Sequence, residues 1–356
     1  PALKTIIPQV AVAPGIDFPG TGGVRSTYMY QWLRYVANTK YCDQLTFNNT
    51  ALWDSLNNKL YDSGLPFIAF DSLAGKPDSV FRRWLVHSTY DKYWQRMIPY
   101  RDEFAVIQIP VLTITGYFDD DQSGALYYWY NHHQYNPAAQ HYLLVGPWDH
   151  FGAQSSPAES LRGYTIDSSG KVSIDQLVFE WMDFVFREKP LPALLHDKVN
   201  LQVMGTNTWW SGKSLSSGLK DSLQLYLSEK EPGKGRLVET MPAVSRRIQL
   251  SREPQDQPLE AAAYDSPVAL ADTSLPTVSG IWFTSEALND TSYMHGCYNL
   301  ALRFIPDCQD ADLITRLYEK TADGNYYLLG TGLQRISAAS GSSPRPRTTD
   351  HTRRAR

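Results

Sequence analysis

The sequence is poor in cysteine and has no long hydrophobic run. Three cysteines among 356 residues, Cys42, Cys297 and Cys308, are too few for a disulfide framework, and their odd number leaves at least one unpaired. Cys297 and Cys308 could form a disulfide, or both could remain buried free thiols, and the sequence does not decide between the two. No stretch approaches eighteen consecutive apolar residues, which excludes a membrane-spanning helix. We therefore expect a soluble protein; its compartment stays open, with a periplasmic or secreted one preferred.

The excess of one sign of charge is also small, with 37 acidic residues against 33 basic ones. The net charge of -4 gives no general reason to expect a nucleic-acid partner. Residues 338–356 are the exception, because five arginines stand there against one aspartate. Basic tails can bind nucleic acid, but a Ser/Pro/Arg-rich composition is more typical of disorder. We predict a disordered tail, with neither a nucleic-acid nor a membrane partner.

Two short apolar runs each end in glycine and then in ionisable residues. Residues 111–115 lead into Gly116-Tyr117-Phe118-Asp119, and residues 141–145 lead into Gly146-Pro147-Trp148-Asp149-His150. Buried parallel strands deliver acids and bases to the edge of a sheet in this way. The sequence therefore predicts two buried strands with Asp119 and His150 just beyond their ends.

The stretch between the two runs predicts a helix. Residues 122–135 contain no proline, and Asn136-Pro137 follows them. A strand, a helix and a second strand joined by a right-handed crossover place the two strands parallel to each other. Asp119 and His150 then lie at the same edge of the sheet, which is called the rim below. A carboxylate there can hold an imidazole in one tautomer and stabilise its protonated form. We therefore interpret Asp119 and His150 as a catalytic acid and base.

The same residues resemble a known family. Ile109-Pro110-Val111-Leu112, the Gly-aromatic-aromatic-Asp loop, the helix, and then Leu144-Val145-Gly146-Pro147-Trp148-x-His150 are similar to the cocaine esterase and X-Pro dipeptidyl peptidase (CocE/NonD) group of α/β-hydrolases, which includes the α-amino acid ester hydrolases. Residues 84–94 resemble that group's His-Pro-x-Tyr-Asp-x-Tyr-Trp signature. The resemblance covers about residues 1–337.

Resemblance and periodicity together predict an α/β fold in three parts. Residues 1–19 and 105–195 are expected to form part of an α/β-hydrolase domain. Helical spacing of aromatics predicts a helical cap over residues 20–104. From about residue 196 the period changes to two, as at Leu201 and Val203 and again at Tyr298, Leu300 and Leu302. Residues 196–337 are therefore expected to form a β-sandwich, and the resemblance implies an incomplete jelly roll.

The resemblance implies a serine hydrolase that cleaves an ester or amide through an acyl-enzyme. The Gly-x-Ser-x-Gly turn that would present the serine is not found in the sequence, and in the α/β-hydrolase order it would precede the first strand. We therefore expect the nucleophile upstream of Pro1, and a fragment that is inactive by itself. The alternatives are an X-Pro dipeptidyl peptidase and a non-catalytic, degenerate hydrolase with a carbohydrate-binding sandwich.

Candidate substrate contacts lie beside the two loops. By resemblance to the α-amino acid ester hydrolases, Asp121 occupies the position of an acid that binds the substrate's α-ammonium group, and Asp17 corresponds loosely to another; Gln122 departs from the pattern. Tyr117 and Phe118 either line the acyl pocket or pack. Trp148 is predicted to wedge the second loop.

Three consecutive carboxylates, at residues 119–121, also suggest a Ca²⁺ site. Their spacing fits no EF-hand loop, so we predict neither a metal nor a cofactor. The expected partner is a small ester or peptide substrate, and a homo-oligomer is left open.

Overall fold

The computed structural model describes residues 2–36, 40–218, 221–231, 234–243, 269–274, 280–303, 305 and 310–336. Within them the α-helices are α1 (Tyr28–Val36), α2 (Gln44–Phe47), α3 (Thr50–Ser63), α4 (Phe70–Leu73), α5 (Ser79–Val86), α6 (Lys92–Gln95), α7 (Gln122–Tyr135) and α8 (Ile174–Arg187). The strands are β1 (Val111–Gly116), β2 (His141–Gly146), β3 (Ser160–Leu161), β4 (Tyr164–Thr165), β5 (Val199–Val203), β6 (Thr208–Gly212), β7 (Tyr226–Glu231), β8 (Lys234–Val238), β9 (Ala271–Asp272), β10 (Phe283–Thr284), β11 (Asp312–Lys320) and β12 (Tyr326–Arg335). The fold is therefore mixed α/β, as predicted.

The largest sheet has the order β1-β2-β5-β6. Strands β1, β2 and β5 are parallel, and β6 pairs antiparallel with β5. The N-terminal segment extends the sheet beyond β1, because the amides of Leu112 and Ile114 donate to the carbonyls of Ile6 (3.2 Å) and Pro8 (2.9 Å). In this register Gly116 lies opposite Gly146, so β1 and β2 end at the same level.

Helices cover both faces of this sheet, which explains why β1 and β2 are apolar without alternation. On one face, Leu112 and Leu144 pack against Leu177 and Trp181 of α8. On the other, β2 and β5 pack against Trp129 of α7. Each fully buried side chain of this kind contributes about 1.5–3 kcal/mol. The predicted helix at residues 122–135 is confirmed. Ser173 caps α8 by accepting from the Gln176 amide.

A chain of buried histidines joins α7 to the start of the sheet. His132 Nε2–H donates to the carbonyl of Ile107 (3.0 Å), so its Nδ1 accepts from His141 Nδ1–H (3.0 Å), and His141 Nε2 accepts from the Thr113 hydroxyl (2.7 Å). Neutral rings satisfy this chain with a single set of tautomers. Burial lowers the pKa of His132 and His141, which favours those neutral forms.

The described residues between 28 and 106 form α1 to α6 and two short 3₁₀ segments, in agreement with the helices predicted for residues 20–104. Their core is aromatic: Tyr30 packs edge-on against Phe70 and Phe81 at ring-centroid distances of 5.6 and 5.3 Å. Asp71 pairs with Arg82 at 2.8 Å beside this core. Where the cap begins and ends as a domain stays a prediction. None of the helices in the described ranges has the length and apolar character needed to cross a bilayer.

The β-rich part differs from the expectation in its first strands. Val199–Val203 was expected to open the sandwich, but it pairs in parallel with β2 and brings β6 into the main sheet. A period of two cannot identify the sheet that a strand joins, and β2 offered an open edge. Tyr298, Leu300 and Leu302 lie outside any strand.

Beyond the main sheet, the described residues form two three-stranded sheets, β10-β8-β7 and β11-β12-β9, and a small hairpin, β3-β4. The jelly-roll topology and the domain limits stay predictions. Cys308 and the tail at residues 338–356 lie outside the described residues, so the structure does not address the Cys297–Cys308 bridge or the predicted disorder.

Candidate active site

Backbone hydrogen bonds tie the two predicted loops together beyond the last paired residues of β1 and β2. The amide of Tyr117 donates to the carbonyl of Gly146 (2.9 Å), and the amide of Phe118 donates to the carbonyl of Trp148 (3.0 Å). A Cβ at Gly116 would overlap that Trp148 carbonyl, so the close approach requires glycine. The pairing of the strands is thereby continued into the loops.

The buried side chain of Trp148 holds the second loop, residues 146–150, in place. Its side chain is buried, and its Nε1–H donates to the carbonyl of Gly170 at 2.7 Å. The indole lies flush against Gly146, where a Cβ would overlap the ring. The contacts agree with the wedge predicted for Trp148, which holds the loop immediately before His150.

The two loops bring Asp119 and His150 together. His150 Nδ1 lies 3.1 Å from Asp119 Oδ1, and the Asp119 side chain is completely buried, whereas 37% of the His150 side chain is exposed. Asp119 is held by two further donors, the Thr115 hydroxyl (2.6 Å to Oδ2) and the amide of Asp121 (3.1 Å to Oδ1). A carboxylate fixed in this way keeps the proton of a neutral imidazole on Nδ1 and leaves Nε2 with its lone pair.

The electrostatics around His150 favour its protonated form. Burial by itself would lower the pKa of His150, but the hydrogen bond and the charge of Asp119, with smaller contributions from Asp121 and Asp120, raise it above the ordinary value. An imidazole whose protonated form is stabilised in this way is suited to accept a proton during the reaction.

Asp121 lies against the same imidazole. Its Oδ2 is 3.4 Å from His150 Nδ1. Burial, followed by repulsion from Asp119, raises the pKa of Asp121 to about 7, although His150 acts in the opposite direction. Near pH 7 this group is therefore divided between its neutral and charged forms, so it can respond to a charged ligand.

Asp119, Asp121 and His150 also have the composition of a metal site, since one donor atom from each lies within 4.8 Å of the others. The geometry of Nδ1 opposes this interpretation, because a cation held there would need the lone pair of the nitrogen whose proton is directed at Asp119. Asp120, which lies between Asp119 and Asp121 in the sequence, is exposed and does not belong to this group of donors. That the site holds no metal stays a prediction.

Asp17 is placed below the rim. It is 2% exposed; its Oδ1 accepts from the amide of Ala13 (2.8 Å), and its Oδ2 accepts from the amide of Gly124 in the first turn of α7. Burial and the charge of Asp121 raise its pKa well above the usual range. Both oxygens already bond backbone amides, so the visible role of Asp17 is to cap α7. Its contact with substrate stays a prediction.

Tyr117 and Phe118 are packed on either side of the first loop. The Tyr117 hydroxyl donates to the carbonyl of Gln202 in β5 (2.8 Å). Phe118 packs against a cluster that includes Tyr164 and Ile166. These contacts anchor the loop to the main sheet and to the region of the β3–β4 hairpin. A place in the acyl pocket stays a prediction for both.

Sequence reasoning missed two residues of this site. Thr115 precedes Asp119 by four positions, at the end of an apolar strand. A hydroxyl at that position could have predicted the hydrogen bond to Asp119. Arg162 lies 43 positions beyond Asp119, in the turn between β3 and β4, and its guanidinium stands 5.8 Å from the Phe118 ring centroid. No local sequence pattern predicts the contact between Arg162 and Phe118.

Residues 1–152 match the family model of the X-Pro dipeptidyl-peptidase (S15) family. No curated protein sequence matches the chain. Among solved structures, an aminopeptidase from the marine sediment archaeon Thaumarchaeota archaeon superposes with a TM-score of 0.60 at 13% identity, over 96% of this chain and 59% of its own. This likeness shows a shared fold, and the chain spans less than two thirds of that aminopeptidase.

A CocE/NonD family hydrolase from Staphylococcus aureus superposes with a TM-score of 0.39 at 12% identity, over 67% of this chain and 34% of its own. A superposition this partial does not establish a common fold. The family match therefore rests on sequence, and it includes Asp119 and His150 as well as the loops that carry them. Over residues 1–152 the match to the X-Pro dipeptidyl-peptidase (S15) family supports the resemblance of the sequence to the cocaine esterase and X-Pro dipeptidyl peptidase group.

Proposed function

We propose that this chain carries the acid and the base of a serine hydrolase, with His150 as general base and Asp119 as the residue that orients it. The observation that carries the proposal is the 3.1 Å contact between His150 Nδ1 and Asp119 Oδ1 at the carboxyl ends of β1 and β2. It leaves Nε2 to take a proton. In the described part of the chain no serine hydroxyl is hydrogen-bonded to His150, so we place the nucleophile on a turn upstream of Pro1.

The reaction follows from this arrangement. The serine Oγ attacks the substrate carbonyl carbon while its proton passes to His150 Nε2, and the resulting imidazolium is stabilised by Asp119. His150 then gives the proton to the leaving alcohol or amine as the carbonyl–leaving-group bond breaks. Water attacks the acyl-enzyme with its proton passing to His150, which returns it to the serine. Acid and free serine result, and no group of the enzyme is consumed.

Labelling with a fluorophosphonate tests the position of the nucleophile. Such probes phosphonylate a serine only where a base activates it. We expect the 356-residue chain to remain unlabelled, and a full-length protein that includes the proposed upstream turn to be labelled once. Stoichiometric labelling of a serine within residues 1–356 would contradict the proposed position, and peptide mapping would identify the true nucleophile.

A substrate with a free α-ammonium group is the best supported class. Asp121 lies 3.4 Å from the imidazole, and its carboxylate is partly ionised near neutral pH. An ammonium group nearby would favour the charged form of Asp121, and the ion pair would hold the acyl side of the substrate beside His150. X-Pro dipeptides and α-amino acid esters both present such a group.

Two esters that differ in this group test the role of Asp121. In the full-length protein, phenylglycine methyl ester is expected to be hydrolysed with a kcat/KM about tenfold above that of its desamino analogue, the size of one charge-assisted hydrogen bond. The preference should disappear in Asp121→Asn. Asp175→Asn, on the exposed first turn of α8, is the matched control and should keep it. Equal rates for the two esters in the unmodified protein would exclude the ammonium site.

A further inference from the structure

Arg162 occupies a turn that does not favour arginine. It and Gly163 are the two residues between β3 and β4, and their φ angles are 47° and 89°. Two-residue hairpins with both central residues in the left-handed region prefer Asn-Gly or Gly-Gly, since a side chain with a long stem is strained there. The turn itself therefore gives no reason for a guanidinium at this position.

The backbone of Arg162 is nevertheless held firmly. Its carbonyl accepts from the amides of Leu270 (2.8 Å) and Ala271 (3.4 Å), and Leu270 is buried with Tyr164 and Ile166. A Cβ at Gly163 would lie 2.6 Å from the carbonyl of Ala271, so the turn is in close contact with β9. The backbone from which the Arg162 side chain extends is therefore fixed.

That side chain returns to the rim of the candidate active site. Its guanidinium carbon is 5.8 Å from the centroid of Phe118, the residue immediately before Asp119. The charges of Asp120 and Asp149, which flank the candidate acid and base in sequence, also act on it. The guanidinium thus belongs to the same end of the sheet as His150.

Among the residues that the structure describes, the guanidinium has no hydrogen-bond acceptor. Its Nε is buried without a hydrogen-bond partner, and no carboxylate among the described residues lies within 4.0 Å of its nitrogens. Buried donors are normally paired, and an arginine prefers a planar acceptor that it can bind with two parallel hydrogen bonds. A carboxylate brought by a ligand would supply such a planar acceptor.

We propose that Arg162 binds the free carboxyl terminus of a short peptide substrate. The proposal rests on the proposed function, since it places the scissile bond at His150 between two charged ends. The α-ammonium group lies toward Asp121, and the carboxylate of the leaving part lies toward Arg162. A zwitterionic tripeptide therefore has a charged group for each of these two side chains. Its C-terminal amide lacks the carboxylate that would pair with Arg162.

Equilibrium binding to the chain itself tests this assignment. Alanyl-prolyl-glycine and its C-terminal amide are titrated separately into ¹⁵N-labelled chain, and the arginine Nε–H resonances are followed. We expect the free acid to bind about tenfold more tightly than the amide and to shift the Arg162 Nε–H signal. Arg162→Gln should reduce the ratio to about one, while Arg162→Lys should retain part of it because the charge remains.

Arg187→Gln is the matched control, because Arg187 is exposed on α8 and pairs with Asp183; its acid-to-amide ratio should equal that of the unmodified chain. The assignment is overturned if acid and amide bind equally, if the preference survives in Arg162→Gln, or if neither peptide binds. Binding requires no nucleophile, so a chain that lacks the serine can still be tested, and the result is separate from that of the labelling experiment.

Discussion

Replacement of His150 by alanine is expected to lower kcat for a p-nitrophenyl ester by on the order of 10⁴-fold or more, in a full-length protein that supplies the nucleophile. Without the imidazole, the serine proton has no acceptor and the leaving group no donor. KM should change little, because the imidazole contributes to proton transfer more than to ground-state binding. Steady-state kinetics on the purified variant measures both values.

Asp119→Asn is the informative companion. It preserves the size of the side chain but removes the charge that stabilises imidazolium, and its amide can hold the ring in the wrong tautomer. We expect a loss on the order of 10³- to 10⁴-fold and a lower pKa for His150, since the hydrogen bond and charge of Asp119 raise it. Asp175→Asn is the control and should retain activity. Turnover within tenfold of the unmodified protein in His150→Ala would refute the assignment of the base.

The convergence of Asp119 and His150 could be predicted because it depends on local rules. Two apolar runs without alternation imply buried parallel strands, a helix between them implies a right-handed crossover, and both strands must then end on the same side. The register of Gly116 opposite Gly146 and the 3.1 Å contact agree with this reasoning. Nothing in it required knowledge of the remaining chain.

The features that could not be predicted depend on distant contacts. The burial of Asp17 beneath α7 follows from how the loop after residue 12 meets Gly124, more than a hundred positions away. β5 joins the main sheet because β2 has a free edge, which a period of two does not reveal. Arg162 reaches Phe118 because β9 holds its turn, and residue 271 lies far from both in the sequence. In each case tertiary packing decided the outcome.

Gly146→Ala is expected to destabilise the chain by about 3 kcal/mol, the upper end of the usual cost of overpacking a core. An added methyl group would overlap the Trp148 indole. The ring cannot move aside easily, since it is buried among core residues that include Trp181 and is tied to the carbonyl of Gly170. The thermal unfolding midpoint of the chain should fall by roughly 4 °C, measured by circular dichroism or calorimetry.

Gly64→Ala separates this clash from the general cost of losing a glycine. Gly64 ends α3 with a φ of 62° and has open space around its Cα, so its replacement adds only backbone strain, about 1 kcal/mol. A second readout connects Gly146 to the site: if Trp148 is displaced, the Phe118 amide loses its acceptor and His150 moves away from Asp119, so the pKa of His150 should fall toward its ordinary value. Equal losses of stability in the two variants, with an unchanged His150 pKa, would show that the indole accommodates the methyl group and that Trp148 does not position the catalytic loop.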